Sequence, residues 1–168
     1  STIDATTLGE QSLTTVGNVT FGGNVGGTMA LGALDVSGGT IMLPASVTTS
    51  SAGGASGNQS YATAIVLAGD TALTATGGTV MFGSTVDGTT GGMEDLTITG
   101  GASFAGAVGG TTALGTLSVS GATAINGGAI TTSSPRSVMR GEQIQVTVIV
   151  LLLAVASVGV GGVVADVT

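Results

Sequence analysis

Hydrophobic and polar residues alternate along most of this chain, and glycine ends each alternating run. The pattern apolar-x-apolar-x-Gly occurs at Leu34-Asp-Val-Ser-Gly38, Leu73-Thr-Ala-Thr-Gly77, Leu96-Thr-Ile-Thr-Gly100 and Leu117-Ser-Val-Ser-Gly121. Leu13-Thr-Thr-Val-Gly17 is a looser version. A second pattern, Phe-small-x-x-Val-x-Gly, begins at each of the three phenylalanines, Phe21, Phe82 and Phe104. Alternation with period two places Leu, Val and Ile on one side of an extended strand and Thr, Ser and Asp on the other. Gly-Gly, Asp-Gly and Asn-Gly pairs then mark the breaks between short strands.

These patterns return at a near-constant interval. Leu96 returns as Leu117 and Phe82 as Phe104, while Leu34 and Leu96 are separated by three such steps, which sets a period of roughly 21. A longer repeat overlies them. Phe21–Gly38 (FGGNVGGTMALGALDVSG) recurs without a gap as Phe104–Gly121 (FAGAVGGTTALGTLSVSG), identical at 13 of 18 positions. One short unit cannot bury its apolar side alone, whereas stacked units form a continuous narrow core. An antiparallel sandwich also uses short strands and glycine turns, but it does not require the same apolar residue to return at a fixed interval. The prediction is an all-β, parallel β-helix (β-solenoid) of about six coils of ~21 residues. With coils ~4.8 Å apart, the coils before residue 135 would form a rod of about 30 Å. Phe21, Phe82, Phe104, Leu34, Leu96 and Leu117 are the expected core stack. Met42 to Gly57, with Pro44 and the run TTSSAGGASG, interrupts the pattern and is expected to be a loop or a loosened coil.

The repeats stop at Ser134-Pro135, which divides a repeat domain (1–134) from an apolar C-terminal segment (135–168). Val146 to Ala165 carries no charge and is long enough for a membrane helix. It is also rich in valine and contains Gly159, Gly161 and Gly162, which favours extended structure. Gln143 to Val148 alternates like a half-buried strand. Three roles follow for the segment: a cap on the solenoid, a strand donated to a neighbouring subunit, or a membrane anchor through 146–165. In the second case Ile144, Val146, Val148, Val150 and Leu152 are the expected self-association residues.

Composition narrows the chemistry. Among 168 residues there are 32 glycines, two basic residues and nine acids, for a net charge of −7, with neither cysteine nor histidine. Nucleic acid is an unsuitable partner, because it requires a basic footprint. A serine or threonine nucleophile would lack an activating base, since lysine is missing as well as histidine. Glu94 with Asp95, or Asp70 with Asp87, are the only carboxylate pairs worth weighing for glycoside cleavage or calcium, and solvated turn acids are the simpler reading. The expectation is therefore a non-enzyme without cofactor, catalytic residue or metal site. Thr97-Ile-Thr99 and Thr74-Ala-Thr76 are short Thr-x-Thr runs, of the kind that gives a flat ligand-binding or ice-binding face.

The stretches GNQSYATAIVLAGDTALTATGGTVMFGSTVDG and FAGAVGGTTALGTLSVSGATAINGGAITTS resemble the repeats of filamentous-haemagglutinin-like adhesins and related large bacterial surface proteins. The resemblance covers roughly Thr6 to Ser134, apart from Met42 to Gly57. It implies a parallel β-helix, export to the cell surface or beyond, and a role in adhesion or an extracellular matrix. The expected partners are other copies of the chain, as a homo-oligomer or filament, and cell-surface or matrix components. A membrane-anchored surface ectodomain is the alternative if 146–165 is a helix.

Overall fold

The structure, a computed structural model, describes residues 1–133 and is all-β there. Twelve strands follow one another: β1 (Ser12–Val16), β2 (Val19–Thr20), β3 (Ala33–Ser37), β4 (Ile41–Leu43), β5 (Ser46–Ser50), β6 (Gln59–Tyr61), β7 (Ile65–Leu67), β8 (Thr71–Phe82), β9 (Val86–Gly88), β10 (Leu96–Phe104), β11 (Leu117–Val119) and β12 (Thr123–Ile125). Every strand pair is parallel. The partners lie one coil apart in sequence, which makes the chain a β-solenoid and excludes the antiparallel sandwich.

Each coil has three sides. The first is the four-stranded sheet β2-β4-β7-β9. The second and third are the two halves of the eight-stranded sheet, whose long strands β8 and β10 run along both. β5 lies on the first half of β8 and β6 on the second. β11 and β12 divide β10 in the same way. Gly77-Gly78 and Gly100-Gly101 fall between the halves, and the β8–β10 register shifts there. Gly77 and Gly100 take φ values of +73° and +123°, a backbone region that side chains with a Cβ rarely enter, so glycine permits the corner.

Inward-pointing residues form vertical columns. Val19, Ile41, Ile65, Val86, Val108 and Ile130 stack on the first side. Ile3, Val25, Val47, Leu73, Ile98 and Val119 stack on the second. The third side has two columns, Leu13-Leu34-Gln59-Val80-Ala102-Thr123 and Thr15-Val36-Tyr61-Phe82-Phe104-Ile125. Six members in every column mean six rungs. Most inner members are fully buried, and β-branched or small residues fill the narrow interior without bulky aromatics beyond three rings.

The spacing of the rungs is less uniform than the sequence period. On the second side, the steps from Val47 to Leu73 and from Leu73 to Ile98 are longer than those from Ile3 to Val25, Val25 to Val47 and Ile98 to Val119. The longer ones accommodate excursions at the corners, Ser51–Gly57 and Thr89–Asp95, which leave the ladder without displacing the strands on either side. Met42–Gly57 is more regular than its composition suggests. It holds the end of β4 and all of β5, and Pro44 lies in the turn between them, where no ladder amide is needed.

The phase of the long repeat is a larger difference. Val25 lies on the second side, yet Val108, its counterpart in the second copy, lies on the first. Leu34 lies on the third side and its counterpart Leu117 on the second. The expected core stack is therefore divided. Leu96 and Leu117 are direct register partners, whereas Leu34 stands between Leu13 and Gln59 in another column. Phe82 and Phe104 stack with ring centroids 4.8 Å apart, and the third ring of that column is Tyr61, 5.7 Å from Phe82. Phe21 ends the β2 run on the first side, half-buried, with its amide on the Met42 carbonyl. The physical reason is that the long repeat spans three and two-thirds of these unequal coils, not four.

This placement has an energetic consequence. Phe82→Ala empties the middle of the ring column and should cost about 3–5 kcal/mol. Phe21→Ala, at a half-buried site outside the column, should cost less than half as much. Equilibrium denaturation of the two variants checks the difference; equal losses would contradict the division of the phenylalanines.

Candidate functional surface

Asp4, Asp70, Asp87 and Glu94 are engaged in building the solenoid. The Asp4 carboxylate Oδ1 accepts hydrogen bonds from the amides of Thr28 (2.8 Å) and Met29 (3.3 Å), one coil further on. Asp87 does the same for Thr111 (2.8 Å) and Thr112 (3.2 Å). These are the same device in the two copies of the repeat. Each caps an outward loop, Gly26–Ala30 or Gly109–Ala113, that bulges between two bridged residues of one side. Asp70 accepts from the Asp95 amide at 3.0 Å. Asn18 and Asn58 use their side-chain oxygens in the same way, on the Thr40 and Thr79 amides.

The carboxylate pairs weighed from sequence are thus assigned to separate tasks. Asp70 and Asp87 serve different amides. Glu94 is buried, with its carboxylate held by the Thr89 hydroxyl (2.5 Å) and the Thr90 amide (3.0 Å), directly over Gly88, where a Cβ would collide with it. Its neighbour Asp95 instead lines an open, shallow groove of about 260 Å³ with Ala45, Asp70, Thr71, Ala72 and Thr97. Among the described residues, no three acidic, histidine or cysteine side chains gather as a metal site would require.

One polar cluster lies inside the core, and nothing in the alternation announced it. The Tyr61 hydroxyl donates to Gln59 Oε1 (2.9 Å), and Gln59 Nε2 donates to the Thr74 carbonyl (2.9 Å). Nε2 also lies 3.3 Å from the Thr49 hydroxyl and from the Val47 carbonyl. Thr49 donates in turn to the Gly57 carbonyl at 2.6 Å. All three side chains are fully buried, and each finds partners, as burial demands. Burial alone pushes the Tyr61 hydroxyl far above the ordinary phenol range, so it stays a protonated donor. The cluster ties the Ser51–Gly57 excursion to the strands beside it. Its location on the rung with the longest insertion gives it a structural task.

The second side carries a regular outer surface rich in hydroxyls. Outward residues there form the columns Ser46-Ala72-Thr97-Ser118 and Thr48-Thr74-Thr99. Rungs ~4.8 Å apart and alternate residues ~6.6 Å apart make this a lattice of hydroxyls interrupted at Ala72. The Thr97 and Thr99 side chains are exposed, while Thr48 and Thr74 are half-buried, so the lattice is freest toward its C-terminal half. Larger apolar residues are exposed in the first coil (Ile3, Leu8 and Val16), in the middle of the stack (Met81 and Met93) and in the last coil (Ile125 and Ile130).

Ile144, Val146, Val148, Val150 and Leu152, expected from sequence to mediate self-association, and the apolar stretch 146–165 lie outside the described residues. Among the described residues, no helix is long and apolar enough to cross a membrane. Comparison of the chain with protein-family models, curated proteins and solved structures gave no match.

The aspartate caps make a pH-dependent prediction. The Thr28 amide, first among several donors, holds the Asp4 carboxyl below its usual range. A depressed folded-state value stabilises the fold above the unfolded carboxyl pKa, and this stabilisation disappears as pH falls through the folded value. Asp4→Ala should therefore be less stable than the parent chain at neutral pH, and the gap should close in acid. Urea denaturation midpoints between pH 7 and pH 2 measure it.

Proposed function

We propose that this chain is a non-enzymatic structural protein of the cell exterior, a rod element that associates with itself in a surface fibre or matrix and takes part in adhesion. The observation that carries this reading is the unbroken parallel stack, six rungs on each of three sides, with backbone bonds running along the rod axis. Such a stack supplies stiffness and a regular surface. Asp4, Asp70, Asp87 and Glu94 act as its caps and supports, which takes four of its acids out of play as reactive groups. The resemblance of the repeats to those of filamentous-haemagglutinin-like adhesins supports the same reading, including the extracellular location. Sedimentation velocity and negative-stain imaging of the full chain test it. Assemblies that grow with protein concentration are expected; a monomer up to several hundred micromolar would remove the self-associating fibre.

The hydroxyl lattice supports a second reading, a flat face that binds a regular ligand such as ice or a polysaccharide surface. The column Thr48-Thr74-Thr99 favours it. On this reading Thr97→Lys with Thr99→Lys abolishes thermal hysteresis or polysaccharide pull-down while the melting temperature stays within a few degrees. Absence of both activities in the parent chain would remove it.

A further inference from the structure

The hydroxyl lattice of the second side is bordered by a charged groove. The groove follows the corner where the first side passes into the second and crosses three consecutive rungs. Ala45 lies on one, Asp70, Thr71 and Ala72 on the next, Asp95 and Thr97 on the third. A second shallow hollow, which reaches Leu43 and Pro44, shares Ala45, Asp70 and Thr71 and continues the groove past the corner. All of this lies in the middle of the stack, with coils above and below it.

The lining mixes methyl groups with oxygen. Ala45 and Ala72 are exposed, and the Ala72 amide bonds the Ala45 carbonyl at 2.9 Å. The Thr71 hydroxyl donates to the Gly69 carbonyl at 3.2 Å, and the Thr97 hydroxyl is exposed. The two aspartates differ. Asp70 is exposed and gives one carboxylate oxygen to the Asp95 amide (3.0 Å). Asp95 enters the ladder through its backbone, with its amide on Asp70 and its carbonyl accepting from the Thr71 amide at 2.9 Å. Its half-buried carboxylate lies over Gly115, where a Cβ would collide with it.

Charge selects the partner. Seven of the chain's nine acids and neither of its two basic residues lie within residues 1–133. A polyanion is repelled along the rod, whereas an ammonium is drawn to the carboxylates of Asp70 and Asp95, which stand one rung (~4.8 Å) apart. That interval is close to the advance of one pyranose unit in an extended β-1,4-linked chain. The threonine columns beside the groove then stand opposite the sugar hydroxyls. A strongly hydrated carboxylate suits such a ligand better than it suits ice.

We propose that the groove and the lattice together bind a polysaccharide that carries free amino groups, laid along the rod axis with an ammonium at Asp95 and its hydroxyls on Thr97 and Thr99. This inference rests on the flat-face reading given above and names its ligand class.

Glucosamine oligomers and their N-acetylated forms of equal length, titrated calorimetrically into the full chain at mildly acidic pH, test it. Acetylation removes the charge, so the amine form should bind about tenfold more tightly. The difference should shrink as salt rises from about 0.05 to 0.5 M. Asp95→Asn keeps the shape of the side chain and should weaken the amine form about tenfold, with the melting temperature within a few degrees of the parent. Asp35→Asn makes the same change in net charge on the third side and should move Kd less than about twofold. Lysine oligomers of the same length offer charge without sugar hydroxyls and should bind more weakly than the glucosamine ones. Four results overturn the inference: equal affinity for the two sugar forms, Asp95→Asn that binds like the parent, Asp35→Asn that loses as much, or lysine oligomers that bind as well. If the acetylated sugar still binds and Thr97→Lys with Thr99→Lys abolishes it, the flat face survives that failure. A parent chain that binds neither sugar overturns the inference, and the flat face falls with it when thermal hysteresis is also absent.

Discussion

Closure of each coil over the one before it is the constraint on which the rest of the structure depends. A parallel ladder forms only if every amide returns above a carbonyl of the previous coil, so the path around the axis must end where it began. Insertions are tolerated where the chain departs and returns to the ladder, at corners (Ser51–Gly57 and Thr89–Asp95) or between two bridged residues of one side (Gly26–Ala30 and Gly109–Ala113). The same constraint fixes the side chains. An inward position is shared by every coil, so a residue there must suit the residues above and below it as well as its own neighbours. The ring column shows this directly: Tyr61, Phe82 and Phe104 lie face to face because the backbone leaves them no other offset.

Buried polarity is arranged to protect that closure. Gln59 occupies a position that is leucine, valine or alanine in four of the other five rungs, and its amide reaches the Thr74 carbonyl and the Thr49 hydroxyl. Thr49 in turn holds the carbonyl of Gly57, at the end of the largest excursion. A leucine at residue 59 would pack well but leave the Tyr61 hydroxyl without its acceptor. The aspartate caps perform a related task outside, where Asp4 and Asp87 satisfy amides that the bulging loops take out of the ladder.

Much of this was legible in the chain. Alternation marked the strands, glycine pairs marked the corners, and the return of Leu, Val and Phe implied the stacking. The angular position of each unit was not legible, because three similar sides accept the same pattern and a count along the chain does not register a slow slip. The motif groups Phe21 and Leu34 with Phe104 and Leu117 for that reason, and the structure separates them. Tyr61 lies outside the phenylalanine motif, although it precedes Phe82 by one coil. The caps left a trace that was available: Ser1-Thr-Ile-Asp4 and Ser84-Thr-Val-Asp87 keep the offset of Phe21 and Phe104, so the duplication reaches back beyond Phe21. Glu94 left none, since an acid beside a turn gives no sign of whether it faces water or the interior. The hydroxyl lattice was half visible, as its Thr-x-Thr runs were plain while their vertical alignment depended on coil lengths.

The slipped repeat carries a consequence for display. The loops Gly26–Ala30 and Gly109–Ala113 share most of their sequence and the same aspartate latch, yet one projects from the second side and the other from the first. Whatever such a loop touches, the molecule offers it in two directions, as steps on a spiral stair face different walls. A duplication of non-integral length thereby turns two nearly identical loops toward different sides of one rod.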